Sequence, residues 1–323
     1  MTNTVTCPTV LQPEQLYFLW EARAASTLLS ACLELGVFDR LEQGPADAAA
    51  LARDCGIREE TAPALLGALT SLGLAEPDRD GGFVGVTGDL KWFLELLRRW
   101  DSFADGLVHA PEVPDGAPPG ADEAFYRTVV PLAAICRPAI GQAAEQLSTA
   151  GPRVLDLGAG AAPWTLALAA ADPEITVTAI DLGHVLPVTR QAVAAAGRQS
   201  QFRFIEDDMF SAELEDDSFD LVILGNVCHL FDDAANRRLL ERVARWLAPG
   251  GTVAIIDFLP NERRDGPREV ALYGVELVRR APGGQLYPFS SYAGWLRENG
   301  FEKIERLELA PYPPVTLVRA RRP

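Results

Sequence analysis

Long apolar runs, metal-ligand spacings and a secretion signal are absent from this sequence. No apolar run reaches about 18 residues, the length that a membrane-spanning helix requires. The five cysteines are scattered, odd in number and without a CxxC pair, which predicts reduced thiols in a cytoplasmic protein and no bound metal. Because the first residues lack a basic stretch followed by an apolar core, no secretion signal is expected.

Positive charge is scarce as well. Lys91 and Lys303 are the only lysines, and the formal net charge is −16. Nucleic acids and anionic membranes are bound by clustered Lys and Arg, so neither is expected as a partner. With 323 residues, 48% of them hydrophobic and 23% charged, the chain is typical of a soluble globular protein with two domains, or with one large domain and an extension.

The first part of the chain, residues 1–100, is predicted to be mainly helical. Apolar residues at helical spacing indicate a long helix that ends near Gly36, followed by two short helices joined at Cys55 and Gly56. The stretch PDRDGGFVGVT then predicts a tight hairpin. Three helices followed by a two-stranded wing are the arrangement of a winged helix.

A winged helix has two interpretations here, a DNA reader or a packing and dimerisation module. The helix that would read DNA begins with Arg58, Glu59 and Glu60, has no lysine and is apolar beyond them. A reading helix should present Arg, Lys, Asn or Gln to the bases and phosphates. Dimerisation is therefore favoured, and the first helix, with Tyr17 and Trp20 close together, has enough apolar surface for a partner chain.

The second part, residues 151–323, alternates between strand-like and helix-like runs. RVLDLGAG, ITVTAIDL, FRFIEDDMF, FDLVILGNV and GTVAIIDFL predict parallel strands of a sheet flanked by helices. The last of these precedes a long helical stretch that extends to Trp295. KIERLELA and VTLVRARR lie so close together in sequence that they must pair antiparallel. Between the two parts, residues 101–150 are predicted to be a linker loop, rich in proline and glycine at 111–120, and a helix over about 122–147.

The turn after the first of these strands, DLGAGAAP, indicates a nucleotide-like ligand. Gly158 and Gly160 let a ligand approach the backbone closely, but Pro163 occupies the third glycine position of a dinucleotide fingerprint. That difference argues against NAD or FAD. Asp156 adds an acid that would repel a pyrophosphate and attract an ammonium group.

Acids also end the next two strands. Asp181 is placed to accept hydrogen bonds from both hydroxyls of a ribose, although a helix cap or a solvated turn would also explain it. Asp208 could accept from an adenine amino group, with Met209 against the ring face. The combination of Asp181 with the DLGAG turn favours ribose binding.

Taken together, the motifs VLDLGAG, AIDL, EDDMF, GNVCHLFDD and LAPGGTVAIIDF resemble those of class I S-adenosylmethionine-dependent methyltransferases. Nearly the whole chain resembles the small-molecule O-methyltransferase family, whose N-terminal dimerisation domain is similar to residues 1–100. The resemblance implies a doubly wound, Rossmann-like α/β sheet after a winged-helix domain, a homodimer, and S-adenosylmethionine as cofactor. It assigns cofactor contacts to Asp156, Gly158, Gly160, Asp181, Leu182, Asp208, Met209 and Asn226.

His229 matches the position where many members of that family carry the catalytic base. The family's histidine–aspartate–tryptophan motif here reads His229-Leu230-Phe231. Of the two acids that often flank the base, one is matched by Asp257, whereas the other is replaced by Phe289. A histidine with a pKa near 6.5 is well suited to take a proton from a phenol. The alternative is a histidine that hydrogen-bonds the backbone at a strand end.

The acceptor pocket is expected after the fifth strand, where candidate lining residues are Tyr273, Leu277, Tyr287 and Phe289, which could also be plain core. We therefore predict an O-methyltransferase that acts on a small apolar aromatic or polyketide-like secondary metabolite. A C- or N-methyltransferase, or a non-methylating enzyme that retains the cofactor, is the first alternative. A DNA-binding regulator is the second.

Overall fold

The structure is a computed structural model, and it describes residues 13–85, 136–280 and 283–323. The chain divides into two compact units, Met1–Asp101 and Ser102–Pro323. The predicted loop at 111–120 and the first part of the predicted 122–147 helix lie outside the described residues. The division into domains 1–100, 101–150 and 151–323 stays a prediction.

The first unit contains the predicted helices and wing. Its elements are α1 (Pro13–Glu34), α2 (Val37–Glu42), α3 (Ala48–Cys55), α4 (Ala62–Ser71), β1 (Ala75–Pro77) and β2 (Phe83–Gly85). Gly36, at φ 69°, ends the long helix where expected, and Gly56, at φ 67°, ends α3. The side chain of Asp47 caps α3 by accepting from the backbone N–H of Ala50 at 2.7 Å. The antiparallel pair β1–β2 confirms the hairpin.

The second unit alternates strands and helices as predicted. Its elements are α5 (Arg137–Leu147), β3 (Arg153–Leu157), α6 (Pro163–Ala171), β4 (Thr176–Asp181), α7 (Leu186–Ala195), β5 (Phe202–Glu206), β6 (Phe219–Gly225), α8 (Asp233–Trp246), β7 (Leu247–Asp257), α9 (Arg268–Arg280), α10 (Phe289–Glu298), β8 (Glu302–Pro311) and β9 (Pro314–Arg321). Short 3₁₀ turns lie at 199–201 and 228–230.

The sheet of the second unit has the strand order β5-β4-β3-β6-β7-β9-β8. Strands β3 to β7 are parallel, whereas β9 is antiparallel to both β7 and β8, as the sequence predicts. The chain adds β4 and β5 on one side of β3 and then returns to add β6 and β7 on the other. Ligands of open parallel sheets bind in the crevice at such a reversal, beyond the carboxyl ends of the strands.

Two apolar clusters support the sheet. Val154, Leu221 and Ile256 belong to one cluster, and their strand neighbours Leu155 and Val222 to the other. Because successive side chains of a strand point to opposite faces, this alternation shows that both faces of the sheet are covered. A separate cluster around Leu51, Leu66 and Leu69 forms the core of the first unit. Burial on both faces fixes the strand register, and with it the positions of the residues that follow each strand.

The prediction of one long helical stretch to Trp295 is wrong. Two helices, α9 and α10, occupy this part of the chain, and residues 283–288 between them are not helical. Gly283 has a φ of 82°, and Pro288 is extended at ψ 164°. Left-handed and extended backbone both interrupt a helix, and a proline is accommodated only at its start.

None of the helices that the structure describes has both the length and the apolar character needed to cross a lipid bilayer. Four of the five cysteines lie within the described residues, and all four are free thiols, which agrees with the prediction of no disulfide there. In the same part of the chain, no three His, Cys, Asp or Glu side chains are grouped as metal ligands would be.

Candidate active site

The glycine turn after β3 is held in place by two buried side chains. Gly158 and Gly160 have φ values of 65° and 55°, a backbone conformation that glycine adopts without strain. The Gly160 N–H donates to Asp181 Oδ2 at 2.8 Å, and the Gly160 carbonyl accepts from Thr189 Oγ1 at 2.6 Å. A side chain at position 158 would lie 2.8 Å from Val227 Cγ2 and 3.2 Å from Met209 Cε.

Asp156, at the end of β3, is buried and has one strong partner. Thr165 of α6 donates to its Oδ2 at 2.5 Å. The pKa of Asp156 is raised to about 7, mainly by burial. The Thr165 hydrogen bond lowers this pKa, and the nearby Asp181 carboxylate raises it. Removal from water disfavours the charged form of the Asp156 carboxyl group. A cation bound beside it would compensate for this loss and would favour the charged form.

Asp181 ends β4 and is also buried, which excludes the solvated turn. Its two oxygens accept from the backbone N–H groups of Gly160 and Leu182, each at 2.8 Å. The next helix begins at Leu186, and its N-cap residue, Val185, receives no side-chain hydrogen bond, so Asp181 is not a helix cap. Burial raises the pKa of Asp181, and the two backbone hydrogen bonds lower it.

Two further predicted positions follow the parallel strands β5 and β6, at the same edge of the sheet. Asp208 follows β5 and accepts from the Phe210 N–H at 2.9 Å. Asn226 follows β6 with a left-handed φ of 59°, and its buried Nδ2 has no hydrogen-bond partner among the described residues. Buried polar groups are nearly always paired, so a donor left in this state indicates a ligand that supplies the acceptor.

These groups fit S-adenosylmethionine. Three carboxylates suit a cation that carries hydroxyl and amino donors, and the buried amide of Asn226 supplies a donor. A pyrophosphate would meet like charges at the same place. When bound, the cofactor supplies a methyl group on a positively charged sulfur.

His229 lies in the 3₁₀ turn after β6, next to the end of β7. Its Nδ1 is 2.6 Å from Asp257 Oδ1, and the two side chains are only 2% and 0% exposed. Because an ionised carboxylate only accepts, Nδ1 carries the proton, which leaves Nε2 as a directed lone pair. Both ring nitrogens contact side chains. The alternative of a histidine whose ring hydrogen-bonds the backbone at a strand end therefore does not describe His229. The role of the pair as a catalytic base stays a prediction.

Two tyrosines extend this pair, and sequence reasoning did not give either of them this place. Tyr273 Oη lies 3.1 Å from His229 Nε2, and Tyr292 Oη donates to Asp257 Oδ2 at 3.1 Å. The Phe258 N–H donates to Asp257 Oδ1 at 2.8 Å. Tyr273 was expected to line a pocket, and Tyr292 was not singled out at all, because no local motif marks an α10 residue that meets β7.

The other predicted pocket residues are divided between the two apolar clusters of the sheet. Leu277 is buried in the apolar cluster that Tyr273 borders, whereas Tyr287 and Phe289 belong to the cluster on the opposite face of the sheet. Tyr287 donates to the Phe231 carbonyl at 2.8 Å. The structure therefore brings one of the four candidates to His229, and pocket roles for the other three stay predictions.

The second flanking acid is absent from the described surroundings of His229. Phe289, which was matched to that acid, is the first residue of α10 and is half-buried. The second ring nitrogen of His229 meets the phenol of Tyr273 instead. Thr165 and Thr189, which hold the glycine turn, are further residues that the sequence analysis missed, because ordinary helix threonines carry no signal of such contacts.

Comparison with known proteins identifies the family. Residues 124–302 match the family model of the O-methyltransferase domain, and residues 19–88 match that of the O-methyltransferase dimerisation domain. The sequence is 27% identical to a 3-hydroxy-5-methyl-1-naphthoate 3-O-methyltransferase of Streptomyces sahachiroi, over 90% of this chain and 89% of that protein. It is 26% identical to the acetylserotonin O-methyltransferase of Rattus norvegicus, over 92% and 75% of the two chains.

A solved structure agrees at the level of the fold. Human N-acetylserotonin methyltransferase in complex with SAM superimposes with a TM-score of 0.76 at 24% identity, over 98% of this chain and 99% of that one. The matched domain covers more than half of the sequence and contains the glycine turn, the carboxylates and the His229–Asp257 pair. The chain therefore belongs to the O-methyltransferase family and is an S-adenosylmethionine-dependent enzyme that methylates hydroxyl groups.

Proposed function

We propose that this enzyme methylates a phenolic hydroxyl of a small, apolar aromatic or polyketide-like secondary metabolite, with His229 as the general base. The observation that carries the proposal is the buried His229–Asp257 pair at the sheet edge where the glycine turn lies. A phenol has a pKa near 10 and is mostly protonated at neutral pH, so it needs a base to become a good nucleophile. A positioned base is typically worth about 10²–10⁴ in rate.

Asp257 has the role of orienting that base. It fixes the proton on Nδ1, so that Nε2 always offers its lone pair, and its negative charge stabilises the imidazolium formed when Nε2 takes a proton. Both contributions are large at this site because the two side chains are shielded from water.

The cofactor is proposed to lie across the ends of β3, β4 and β5. Asp156 would attract its positive end, Asp181 and Leu182 its ribose, and Asp208 and Met209 its adenine, as the chemistry of those groups suggests. Gly158 and Gly160 would give it access to the backbone, and Asn226 would donate from Nδ2. Support comes from the buried carboxylates of Asp156 and Asp181 and from Asn226 Nδ2, which has no hydrogen-bond partner among the described residues.

The acceptor class is proposed from two sources. The aromatic ring of Tyr273 lies at His229, and Leu277, Tyr287 and Phe289 are proposed as further apolar and aromatic residues of the pocket. The relatives from Streptomyces and Rattus are named for 3-hydroxy-5-methyl-1-naphthoate and for acetylserotonin, both of them small hydroxylated aromatic molecules.

We propose further that two copies of the chain associate through the N-terminal unit. Helix α1 exposes neighbouring large apolar side chains, among them Tyr17 at 63% and Trp20 at 64%. Apolar surface of this kind marks an interaction site more often than free surface. The match of residues 19–88 to a dimerisation domain supports the same conclusion.

The experiment is a label-transfer assay. The enzyme is incubated with S-adenosylmethionine labelled with ¹³C on its methyl group and with 3-hydroxy-5-methyl-1-naphthoate or N-acetylserotonin, and NMR locates the label. A new O-methyl signal is expected. The 3-methoxy derivative of the naphthoate is the matched control, because it has no hydroxyl to methylate. A label on carbon, or a label that stays on the cofactor with both acceptors, would contradict the proposal.

A further inference from the structure

The base of the proposed reaction is buried, and both of its ring nitrogens already have partners. The His229 side chain is 2% exposed, with Nδ1 at 2.6 Å from Asp257 and Nε2 at 3.1 Å from Tyr273 Oη. A neutral imidazole has one lone pair on its unprotonated nitrogen. An acceptor hydroxyl therefore reaches Nε2 only if the phenol leaves, or else it reaches the base through the phenol.

The proton positions along this row follow from the chemistry of its members. Asp257 only accepts, so Nδ1 of His229 donates to it and Nε2 must accept. Tyr273 then donates its phenolic proton to Nε2. At the far end, Tyr292 and the Phe258 N–H donate to Asp257, which satisfies the carboxylate from two more sides. A proton that enters at Tyr273 has a continuous path to His229.

The ring of Tyr273 is held in this position by aromatic contacts. It meets the His229 ring edge-on at a centroid distance of 5.6 Å and the Phe258 ring at 5.2 Å. Edge-on aromatic pairs are favoured beyond the burial of their surface, so displacing the ring has a cost. Tyr273 is also half-buried, whereas His229 is buried, so the tyrosine is the more exposed residue of the pair.

We propose that Tyr273 is a catalytic residue that relays the proton from the acceptor to His229. A phenolic oxygen that donates its hydrogen still carries two lone pairs and can accept from an acceptor O–H. In the step, the acceptor O–H bond breaks and a new O–H bond forms on Tyr273. The original Tyr273 O–H bond breaks, and an N–H bond forms on His229 Nε2.

The step balances in charge. The acceptor oxygen keeps the electron pair of its broken bond and uses it to form the bond to the methyl group. The positive charge that leaves the cofactor sulfur appears on the His229 imidazolium, next to Asp257. This proposal rests on the proposed function, since it needs a hydroxyl acceptor whose proton must be removed.

The kinetic test is Tyr273→Phe, which keeps the ring and removes only the oxygen. With 3-hydroxy-5-methyl-1-naphthoate as the probe, we expect kcat to fall about 10²-fold with little change in KM. A double variant with His229→Gln should lose no more than His229→Gln alone, because both residues act in one proton path. With 4-nitrophenol, which ionises readily in water, the Tyr273→Phe defect should be much smaller. Tyr312→Phe, at a side chain that is 73% exposed, is the control.

If Tyr273 only blocks the base and swings away, removal of its oxygen should leave kcat unchanged or raise it. That result would overturn the relay. Equal defects with the naphthoate and with 4-nitrophenol would also overturn it, because they would indicate a positional effect that does not depend on the proton.

A second measurement needs no acceptor. The chain has three histidines, so ¹⁵N labelling of histidine gives a simple spectrum in which His229→Gln identifies the His229 signals. Loss of the hydrogen bond in Tyr273→Phe should shift the Nε2 resonance, whereas Tyr312→Phe should leave it in place. An unmoved resonance would overturn the proposal. A shifted resonance in an enzyme that methylates no phenol would count against the proposed acceptor class and not against the contact.

Discussion

The proposed reaction depends on which ring nitrogen of His229 carries the proton, and Asp257 holds that proton on Nδ1. Its Oδ1 is 2.6 Å from Nδ1, and no part of its side chain is exposed. A carboxylate in this position selects one tautomer, whereas an amide of the same shape could hold either tautomer. The function of the residue can therefore be separated from its packing.

Asp257→Asn tests that separation. With a phenol acceptor, kcat should fall about 10²–10⁴-fold, because Nε2 is no longer held as the acceptor and the imidazolium loses its counter-charge. Affinity for S-adenosylmethionine, measured by calorimetry, should change little. A kcat within about twofold of the wild type would show that the pair is structural.

Tyr292→Phe should destabilise the fold more than Tyr287→Phe. Both phenols are buried, but Tyr292 donates to the carboxylate of Asp257, whereas Tyr287 has only neutral partners. Tyr287 donates to the Phe231 carbonyl and accepts from Gln285 Nε2, and the half-buried Gln285 amide can bond to water when that phenol is removed. Hydrogen bonds to charged groups contribute about 1.5–3 kcal/mol, and those between neutral groups about 0.5–1.5 kcal/mol. Urea unfolding of the two variants measures the difference, and equal losses would contradict the assignment of a charged Asp257.

We expect Asp156 to make cofactor binding depend on pH. Burial raises its pKa from 3.8 to about 7, so near pH 6 the folded chain holds a proton that the unfolded chain has lost. A cationic ligand binds the ionised form better, so affinity for S-adenosylmethionine should rise as the pH increases through about 7 and then level off.

Thr165→Val removes a hydrogen bond that lowers the pKa of Asp156 and should move the rise in affinity to higher pH, whereas Thr165→Ser should not. Calorimetric titration between about pH 6 and about pH 8.5, on both sides of the Asp156 pKa of about 7, measures both effects. A pH-independent affinity would contradict the role of Asp156.

At the scale of elements, the site is made by the ends of strands that are far apart in sequence. Residues 156–160, 181–182, 208, 226–229 and 257 lie at or just beyond the carboxyl ends of the five parallel strands β3 to β7, at one edge of the sheet. The apolar runs and the turns between them predicted this part correctly, since strands buried on both faces leave a clear signal. The glycine turn and the carboxylates followed from the same pattern.

Contacts between elements were less accessible to sequence reasoning. Tyr292 of α10 meets Asp257 of β7 across 35 positions of the chain, and Tyr273 of α9 meets His229 across 44. Such contacts depend on how a helix is rotated and placed on the sheet, which no local spacing encodes. The division of the predicted long helix into α9 and α10 has the same origin, because Gly283 and Pro288 were not weighed as interruptions.

The glycine turn offers a comparison at matched backbone geometry. Gly158 and Gly197 both have φ 65°, but a Cβ at Gly158 would lie 2.8 Å from Val227, whereas a Cβ at Gly197 would have nothing within 4 Å. Gly197→Ala should cost only the left-handed strain of about 1–2 kcal/mol. Gly158→Ala should add an overpacking cost of about 1–3 kcal/mol and weaken cofactor binding about tenfold or more. Thermal unfolding and calorimetry measure both, and equal behaviour would contradict close packing at the turn.

At the scale of the whole molecule, the N-terminal unit explains why the chain should not act alone. Within the part of the chain that the structure describes, large apolar side chains of α1 such as Tyr17 and Trp20 are exposed, which is typical of an interaction site. The sequence predicted the winged-helix order of elements, because short amphipathic helices and a double-glycine hairpin are local features. It could not give the geometry of a dimer, which depends on two copies of the chain.

Trp20→Glu tests the association. Placing a charge on a side chain that is 64% exposed in one copy should cost little in folding but should disrupt an apolar interface. Native mass spectrometry should show dimers of the wild type and monomers of the variant, and Tyr312→Glu should remain dimeric. Monomeric wild-type protein would contradict the association. A dimer that persists in the variant would place the interface elsewhere.

The central claim is that His229 removes the acceptor's proton, and a series of phenols of rising pKa tests it most directly. The measured quantity is the ratio of kcat for the wild type to kcat for His229→Gln with each phenol. If His229 is the base, the ratio should be close to one for phenols already ionised at the assay pH and should rise to about 10² or more for those that are not. A ratio that stays constant along the series would contradict the account, because the contribution of His229 to kcat would then not depend on whether the phenol has a proton to remove.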